Sequence, residues 1–517
     1  MVSTAHPIAT QAGLSILRRG GNAFDAAVAI ASTLNVVEPM MSGMGGYGTI
    51  LVFDAEQGEA HYLDASGKIP QAVNADAYRA PTPGHMQNRR NAKAISTPGA
   101  ANAWQAMSTR FGVLPWEELL NPAIHAAESG FLIDDRAARW IESAYKEFPE
   151  HARAFYGKDG VPLAAGERLV QADLAGSLRT VAKEGAEALY TGSIAKAIAG
   201  AMEQAGGFLS ARDLADDRAE WWRPISTTYR GLDVITPSAP AGAFPMLLRL
   251  GMMGQADNRA LGHNTVAYLH RFSEVTKHAY WTRLAYSGDP DVKPPPYDLL
   301  LSQQYWEEQC ARLDLERATD FDTAGILSAS ENKNTTHFVV ADSQGNVVSA
   351  TVTLGNLFGS RIMPEGTGIW LNNSLAYCTF EPPGNPMDAH PGRRKLSSDS
   401  PTFVMRDGKP WVALGTPGGH TITQTCAQMV MNVIDFDMDI QAAIAAPRIA
   451  FNVPDHLEVE ATIPAATRAA LEAMGHKVRR RILGNAHGLM IEYDAEGRPV
   501  RFLGGTDPRG AGQAAGY

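Results

Sequence analysis

The chain has 517 residues, 45% of them hydrophobic, and a formal net charge of −10 at pH 7. That is enough apolar material for a large core, at a length that suggests roughly two to four domains. The only basic runs, Arg393-Arg394-Lys395 and Arg479-Arg480-Arg481, are too short for a nucleic-acid stripe, and no apolar run nears the roughly 18 residues that cross a bilayer.

Residues 1–7 carry neither a basic n-region nor an apolar h-region, so the chain is expected to be soluble and cytoplasmic. Ile8, Ala12, Leu14, Ile16 and Leu17 predict a helix over 6–18 that stops at Gly20-Gly21. Asn22 is a plausible N-cap for "AFDAAVAIASTLNVV", which is apolar nearly all round and reads as a core helix. "GMGGYG" (43–48) formally fits G-x-G-x-x-G, but a helix precedes it and a strand follows. That order is wrong for a dinucleotide fingerprint, and a tight turn where backbones approach closely is the better reading. "TILVFDAEQGEAHYLDASG" reads as two strands about Glu56-Gln57-Gly58.

From about 100 to 285 the sequence is mainly helical, broken by the loop "TPSAPAGAFP" (236–245). Residues 286–334 are polar and irregular, as a mobile segment would be. Then the period becomes two. "NTTHFVVADSQGNVVSATVTL" predicts a hairpin, 337–342 and 347–354, about Ser343-Gln344-Gly345-Asn346. Strands are also expected in "GTGIWLNNSL", "PTFVMRDGKPWVALGTPGG", "HLEVE" and "HGLMIEYDAEGRPVRFLGGTD", with helices in "TITQTCAQMVMNVIDF" and "PAATRAALEAMG". Hairpins flanked by long helices argue for an α+β fold in layers. Cys310, Cys378 and Cys426 have no disulfide or zinc spacing and read as buried thiols.

No H-E-x-x-H, G-x-S-x-G or P-loop occurs. "GTPGGH" (415–420) lies between a strand and a helix. It is either a plain connection or a pair of N–H groups aimed at developing negative charge. The hydroxyls of "KLSSDSPT" (395–402) are either caps or ligand donors. The polar cluster Asn334-Thr335-Thr336-His337 opens the hairpin. A threonine hydroxyl needs a base beside it, and its own α-amine serves once the preceding peptide bond is cut. Attack by that hydroxyl on the preceding carbonyl would make the cut, so the bond between Asn334 and Thr335 is a candidate self-cleavage site. The plainer reading is a pair of threonines starting a strand.

Nearly end to end, the sequence resembles the γ-glutamyltranspeptidase family of N-terminal-nucleophile hydrolases. The likeness is carried, in order, by "HPIATQAGLSILRRGGNAFDAAVA", "VVEPMMSGMGGYG", "STPGAANAW", "GDPD", the hairpin, "FGS", "GIWLNN", "RRKLSSDSPTFV", "GTPGG" and "TDPRGAGQAAGY". It implies a four-layer αββα sandwich built from a precursor that cuts itself into a large chain, 1–334, and a small chain, 335–517, which stay together as a heterodimer. It implies Thr335 as nucleophile, Thr353 as the threonine that orients it, and Gly418 and Gly419 as the oxyanion hole. Ser397 and Ser398 would contact the carboxylate end of a small amide substrate, and no metal or organic cofactor is implied.

Departures from the family pattern fall on the γ-glutamyl clamp. Ser66 stands where the family has an arginine, Gly355 where it has an asparagine, and Ser374 and Tyr377 where it has a Gln or Glu and an aspartate. Losing both ends of the clamp would weaken γ-glutamyl binding on the order of 10²–10⁴-fold. An amidohydrolase with a different, anionic acyl group is therefore expected, as in oxamate amidohydrolase-like or cephalosporin acylase-like members. Arg361, His420, Lys68 and Arg394 are the candidate anion partners. A glutathione hydrolase or γ-glutamyltransferase, and an unprocessed non-catalytic scaffold, are the alternatives.

Overall fold

The computed structural model describes residues 1–321, 334–397 and 399–517. Two antiparallel sheets carry the fold. The first has seven strands in the order Gln513–Ala515, Val2–Thr4, Asn334–Ala341, Val347–Gly355, Tyr47–Asp54, Glu59–Ala65 and Glu220–Trp222. The second has six, in the order Pro499–Thr506, His487–Tyr493, Lys409–Gly415, Thr402–Arg406, Leu232–Thr236 and Ile225–Tyr229.

Side-chain alternation along these strands fixes the layers, because successive residues face opposite sides. Leu51, Phe53, Val339, Ala341 and Val347 of the first sheet meet Phe403, Met405, Ala413, Leu489 and Ile491 of the second. Their neighbours point outward: Ile50, Val52, Phe338, Val340, Val348 and Ala350 pack under helices that include Ala23–Val37. Val404, Val412 and Leu414 pack under Phe244–Met253, Val266–Tyr286 and Ile422–Ile434. The result is an α+β sandwich of four layers, αββα, and its central strands are buried on both faces. Instead of several domains, the two sheets share one core.

Local chemistry sets the elements as the sequence suggests. Asn22 Oδ1 accepts from the Phe24 and Asp25 N–H groups at 3.0 Å, and Asp25 returns the favour to the Asn22 N–H at 3.2 Å, a capping box. In the glycine run, a Cβ on Gly45 would stand 2.1 Å from the Trp370 carbonyl oxygen, and one on Gly46 2.4 Å from that of Thr353. The run is thus a close backbone approach to the hairpin.

Three expectations need correction. "GTGIWLNNSL" is not a strand: Gly366 and Gly368 have φ of 74° and 65°, and the segment spends its N–H groups on separate partners, Leu371 on Ile362, Asn372 on Gly45 and Asn373 on Leu354. Cys310 is only half-buried, while Cys378 and Cys426 are buried. The helical stretch 100–285 also hides the strands Glu220–Trp222, Ile225–Tyr229 and Leu232–Thr236, the first two of which are edge strands, one in each sheet. Of the polar stretch 286–334, residues 322–333 lie outside the described residues, while Tyr297–Leu300 and Gln303–Cys310 are helical.

Asp342 ties the hairpin to the helix layer. Its Oδ1 accepts from Gln344 and Asn346 N–H groups at 2.9 and 3.0 Å, and its Oδ2 accepts from Ala23 N–H and Asn346 Nδ2, both at 2.9 Å. Asp342→Ala leaves buried donors unpaired and is expected to cost about 1–3 kcal/mol. Urea unfolding of an uncut Thr335→Ala background is the measurement, and a midpoint unchanged by the second substitution would contradict this role.

Candidate active site

The hairpin Asn334–Ala341 and Val347–Gly355 lies in the middle of the first sheet, and its register breaks at one place. Asn334 pairs with Gly355 and Thr336 with Val352, so two residues, Thr353 and Leu354, stand opposite Thr335 and the bulge lies in the second strand, across from it. A bulge turns a side chain out of the ladder and re-aims it. Thr335 is 9% exposed, and its Oγ1 donates to Thr353 Oγ1 at 3.2 Å. The Thr353 hydroxyl donates in turn to the Asn334 carbonyl oxygen at 2.7 Å, and it also accepts from the Gly355 N–H at 2.8 Å. One hydroxyl therefore touches the candidate attacker and polarises the carbonyl to be attacked.

Gly418 lines a cavity of about 390 Å³ together with Asn334 and Thr335. Gly418 and Gly419 have φ of 144° and 59°, the left-handed half of backbone space, just before the helix Ile422–Ile434. The Gly418 carbonyl is occupied by Thr421, whose hydroxyl donates to it at 2.8 Å. Among the described residues neither glycine N–H donates to an acceptor, so both are available to an oxyanion.

The rest of the T-T-H cluster is structural. Thr336 Oγ1 donates to Glu38 Oε2 at 2.7 Å, and burial holds the Glu38 carboxyl above its ordinary range. His337 packs between the sheets, 2.9 Å from Thr351 Oγ1. Burial, then His487, keeps its imidazole neutral far below pH 6.5. It is not a base for Thr335.

Clamp positions are filled from within the chain. Ser66 Oγ donates to Asp64 Oδ2 at 2.9 Å, and Arg394 reaches the same carboxylate at 2.9 Å and Glu220 at 2.6 Å. Arg394 is thus consumed by internal acids, which hold it above its ordinary pKa against the cost of burial. Lys68 lies 3.8 Å from Glu220, Arg361 is paired with Glu147, and the His420 ring packs edge-on against Tyr280 at 5.7 Å. None of the four lines the cavity at Thr335. At Gly355, φ is 100°, and a Cβ would stand 2.4 Å from Asn373 Oδ1, so an asparagine does not fit there. Ser374 is buried against Ser96. The Tyr377 hydroxyl donates to Asn356 Oδ1 at 3.0 Å. Ser397 donates to the Asp399 carboxylate, and Ser398 lies outside the described residues.

Two groups of residues escaped the sequence reading. Tyr47 pairs with Thr353 in the ladder, and its phenol is pushed well above 10 by burial, with Tyr377 and Asp399 adding to the shift. The Lys395 ammonium stands 3.4 Å from the centre of the Tyr47 ring, and burial lowers it to about 7. Burial likewise raises Asp399 to about 6. A lysine after two arginines and an aspartate among serines gave no sign of standing inside the protein. The second group is Arg136, Arg139, Arg481 and Arg509, which line the Thr335 cavity with no Asp or Glu among its described lining residues.

One grouping has atoms at metal-ligand spacing, His270, Glu274 and His476, within 4.8 Å of one another. Its polar atoms are already spent: His270 Nδ1 lies 2.8 Å from His476 Nε2, its Nε2 lies 2.9 Å from the Asp314 carbonyl, and Lys277 sits 2.8 Å from Glu274.

The comparisons with known proteins agree with this geometry. The chain is 36% identical over 535 residues to the acylase ACY 1 proenzyme of Pseudomonas sp. (strain V22), covering 99% of this chain and 95% of that one. It is 33% identical to the glutathione hydrolase proenzyme of Escherichia coli (strain K12), over 100% of this chain and 92% of that one. Among solved structures, the cephalosporin acylase from Bacillus halodurans superposes with a TM-score of 0.90 at 30% identity, covering 100% of this chain and 95% of that one. The profile described as Gamma-glutamyltranspeptidase matches residues 9–517, and this chain belongs to that family of enzymes.

Proposed function

We propose that the chain is a precursor that cuts itself between Asn334 and Thr335 and then works as an amidohydrolase with Thr335 as its N-terminal nucleophile. The observation that carries this reading is the Thr335–Thr353–Asn334 relay at the bulge. In the cut, Thr335 Oγ1 attacks the Asn334 carbonyl carbon, and the Thr353 hydroxyl donates to the oxyanion that develops on the Asn334 oxygen. The Thr335 hydroxyl proton is transferred to its own nitrogen as the C–N bond breaks, giving the free α-amine and an ester, and water then hydrolyses that ester to release the Asn334 carboxylate. The mature enzyme repeats this on a substrate. The hydroxyl proton passes to the α-amine, the Gly418 and Gly419 N–H groups receive the oxyanion, and the proton is delivered to the leaving amine. Water then hydrolyses the acyl-enzyme.

The fragments 1–334 and 335–517 would remain one body. Both sheets take strands from each side of the cut, and Val2–Thr4 pairs directly with Asn334–Ala341.

The acyl group is proposed to be a small carboxylate rather than γ-glutamyl. Self-cleavage frees the Asn334 end from its place beside Gly355, and that place becomes the acyl subsite. The cation standing at this wall is Lys395, over Tyr47. A second reading rests on Asp399, which brings an anion to the same Tyr47 wall. Lys395 and Asp399 together would hold a zwitterionic γ-glutamyl group. Comparing glutaryl- with γ-glutamyl-p-nitroanilide separates the two, and faster turnover of the γ-glutamyl compound would favour the second.

Thr335→Ala is expected to abolish both cutting and turnover, leaving one 55.5 kDa band on a denaturing gel. Thr353→Val is expected to slow cutting roughly 10²–10³-fold through loss of an oxyanion donor. Intact-mass spectrometry over time reads both, and a Thr335→Ala protein that still splits would end the proposal. For the acyl subsite, Lys395 is charged below about 7 and neutral above it. The ratio of kcat/KM for glutaryl- over butyryl-p-nitroanilide is therefore expected to fall as pH rises through that value, while effects of the shared α-amine cancel. A ratio flat with pH, or unchanged by Lys395→Met, would remove Lys395 from the subsite.

A further inference from the structure

The cavity beside Thr335 has two walls of different character. None of the clamp positions Ser66, Ser374, Tyr377 and Ser397 lines it, nor do Tyr47 and Lys395. Away from Thr335 and Gly418, its lining includes the helix Asp135–Ala144, through Arg136, Arg139 and Trp140, the stretch from Arg481 to Asn485, and Arg509. Arg139, Arg481 and Ile482 are exposed, so this side opens to solvent. Ile482 is 74% exposed and gives this side of the cavity an apolar surface.

Its charges are unevenly answered. Arg509 is spent on Glu460 and Asp507, at 2.5 and 2.9 Å, and Arg481 meets Glu458 at 2.7 Å. Among the described residues Arg136 and Arg139 have no carboxylate within ion-pair distance. Arg136 instead lies over the Trp140 ring, 4.3 Å from its centre, and the buried Glu38 acts on it from beyond ion-pair distance. Three residues apart on one helix, Arg136 and Arg139 face the same way.

We infer that this wall is the leaving-group subsite, and that it selects amines with an apolar or aromatic body and one or more carboxylates. Such a body lies against Trp140 and Ile482, and its carboxylates meet Arg136 and Arg139. The inference rests on the acyl-transfer reading above, and it assigns the half of the amide that this reading leaves open. Arg136 and Arg139 act here as specificity-determining residues that touch the departing amine and take no part in the bond changes.

The test compares a 4-nitroanilide with the 3-carboxy-4-nitroanilide of the same acyl group, together with calorimetric binding of 5-aminoisophthalate to the matured protein. The carboxylated anilide is expected to have kcat/KM about 10-fold higher at low salt, an advantage that shrinks as ionic strength rises. In an Arg136→Gln/Arg139→Gln double variant the ratio is expected to fall to about one and 5-aminoisophthalate binding to be lost. The double lysine variant, which keeps the charge, is expected to recover part of both. Self-cleavage of each variant into the same two fragments reports that it folds. Equal kcat/KM for the two anilides with no 5-aminoisophthalate binding overturns the inference. If neither anilide turns over while wild type, and not the glutamine variant, binds 5-aminoisophthalate, the subsite stands and the acylase reading falls.

Discussion

The Thr353 hydroxyl accepts from two donors, Thr335 and the Gly355 N–H, and donates to the Asn334 carbonyl. A hydroxyl committed in this way has no freedom left to rotate, so its proton points at one oxygen. Everything around it serves to keep that direction. The bulge at Thr353-Leu354, opposite Thr335, shifts the register there without breaking the sheet, and Tyr47 on the neighbouring strand pairs with Thr353 on the other side. Because the central strands are buried on both faces, few waters compete for these bonds. In that setting the Thr335 hydroxyl and the Asn334 carbonyl are held against one shared partner.

Charge follows a different logic. Ser66 and Arg394 both bond Asp64, and Arg394 is buried between Asp64 and Glu220. A buried ion pair of this sort costs desolvation and is poorly placed to be given up to a ligand. The cations left near the nucleophile are then Lys395 on one side and the arginines of the cavity on the other.

Much of this was legible in the sequence because local rules and tertiary placement agreed. The N-cap at Asn22 and the turns about Gly58 and Gly345 each show their role through residue type alone, whereas the glycine pair 418–419 took its role from the resemblance. Period two in 334–355 showed the hairpin, and the order of motifs showed the family. What stayed hidden depends on three-dimensional neighbours. The strands at 220–236 are short and sit at or next to sheet edges, where composition says little. Gly366 and Gly368 broke a strand that alternation alone predicts. Lys395 reads as part of a basic surface run until the fold turns it inward over Tyr47. Arg136 and Arg481 are more than three hundred residues apart, and only the fold brings them to the same cavity.

The interleaving of strands also bears on how this protein would come back from denaturation. Val2–Thr4 and Tyr47–Asp54 lie upstream of Thr335, and they hydrogen-bond to strands downstream of it in the same sheet. Before a cut, every such pairing is an encounter within one molecule, and refolding does not depend on how dilute the solution is. After a cut, the same pairings become meetings between two polypeptides. Assembly is then a second-order process, and the lifetime of the folded pair, more than its equilibrium stability, governs how long it lasts.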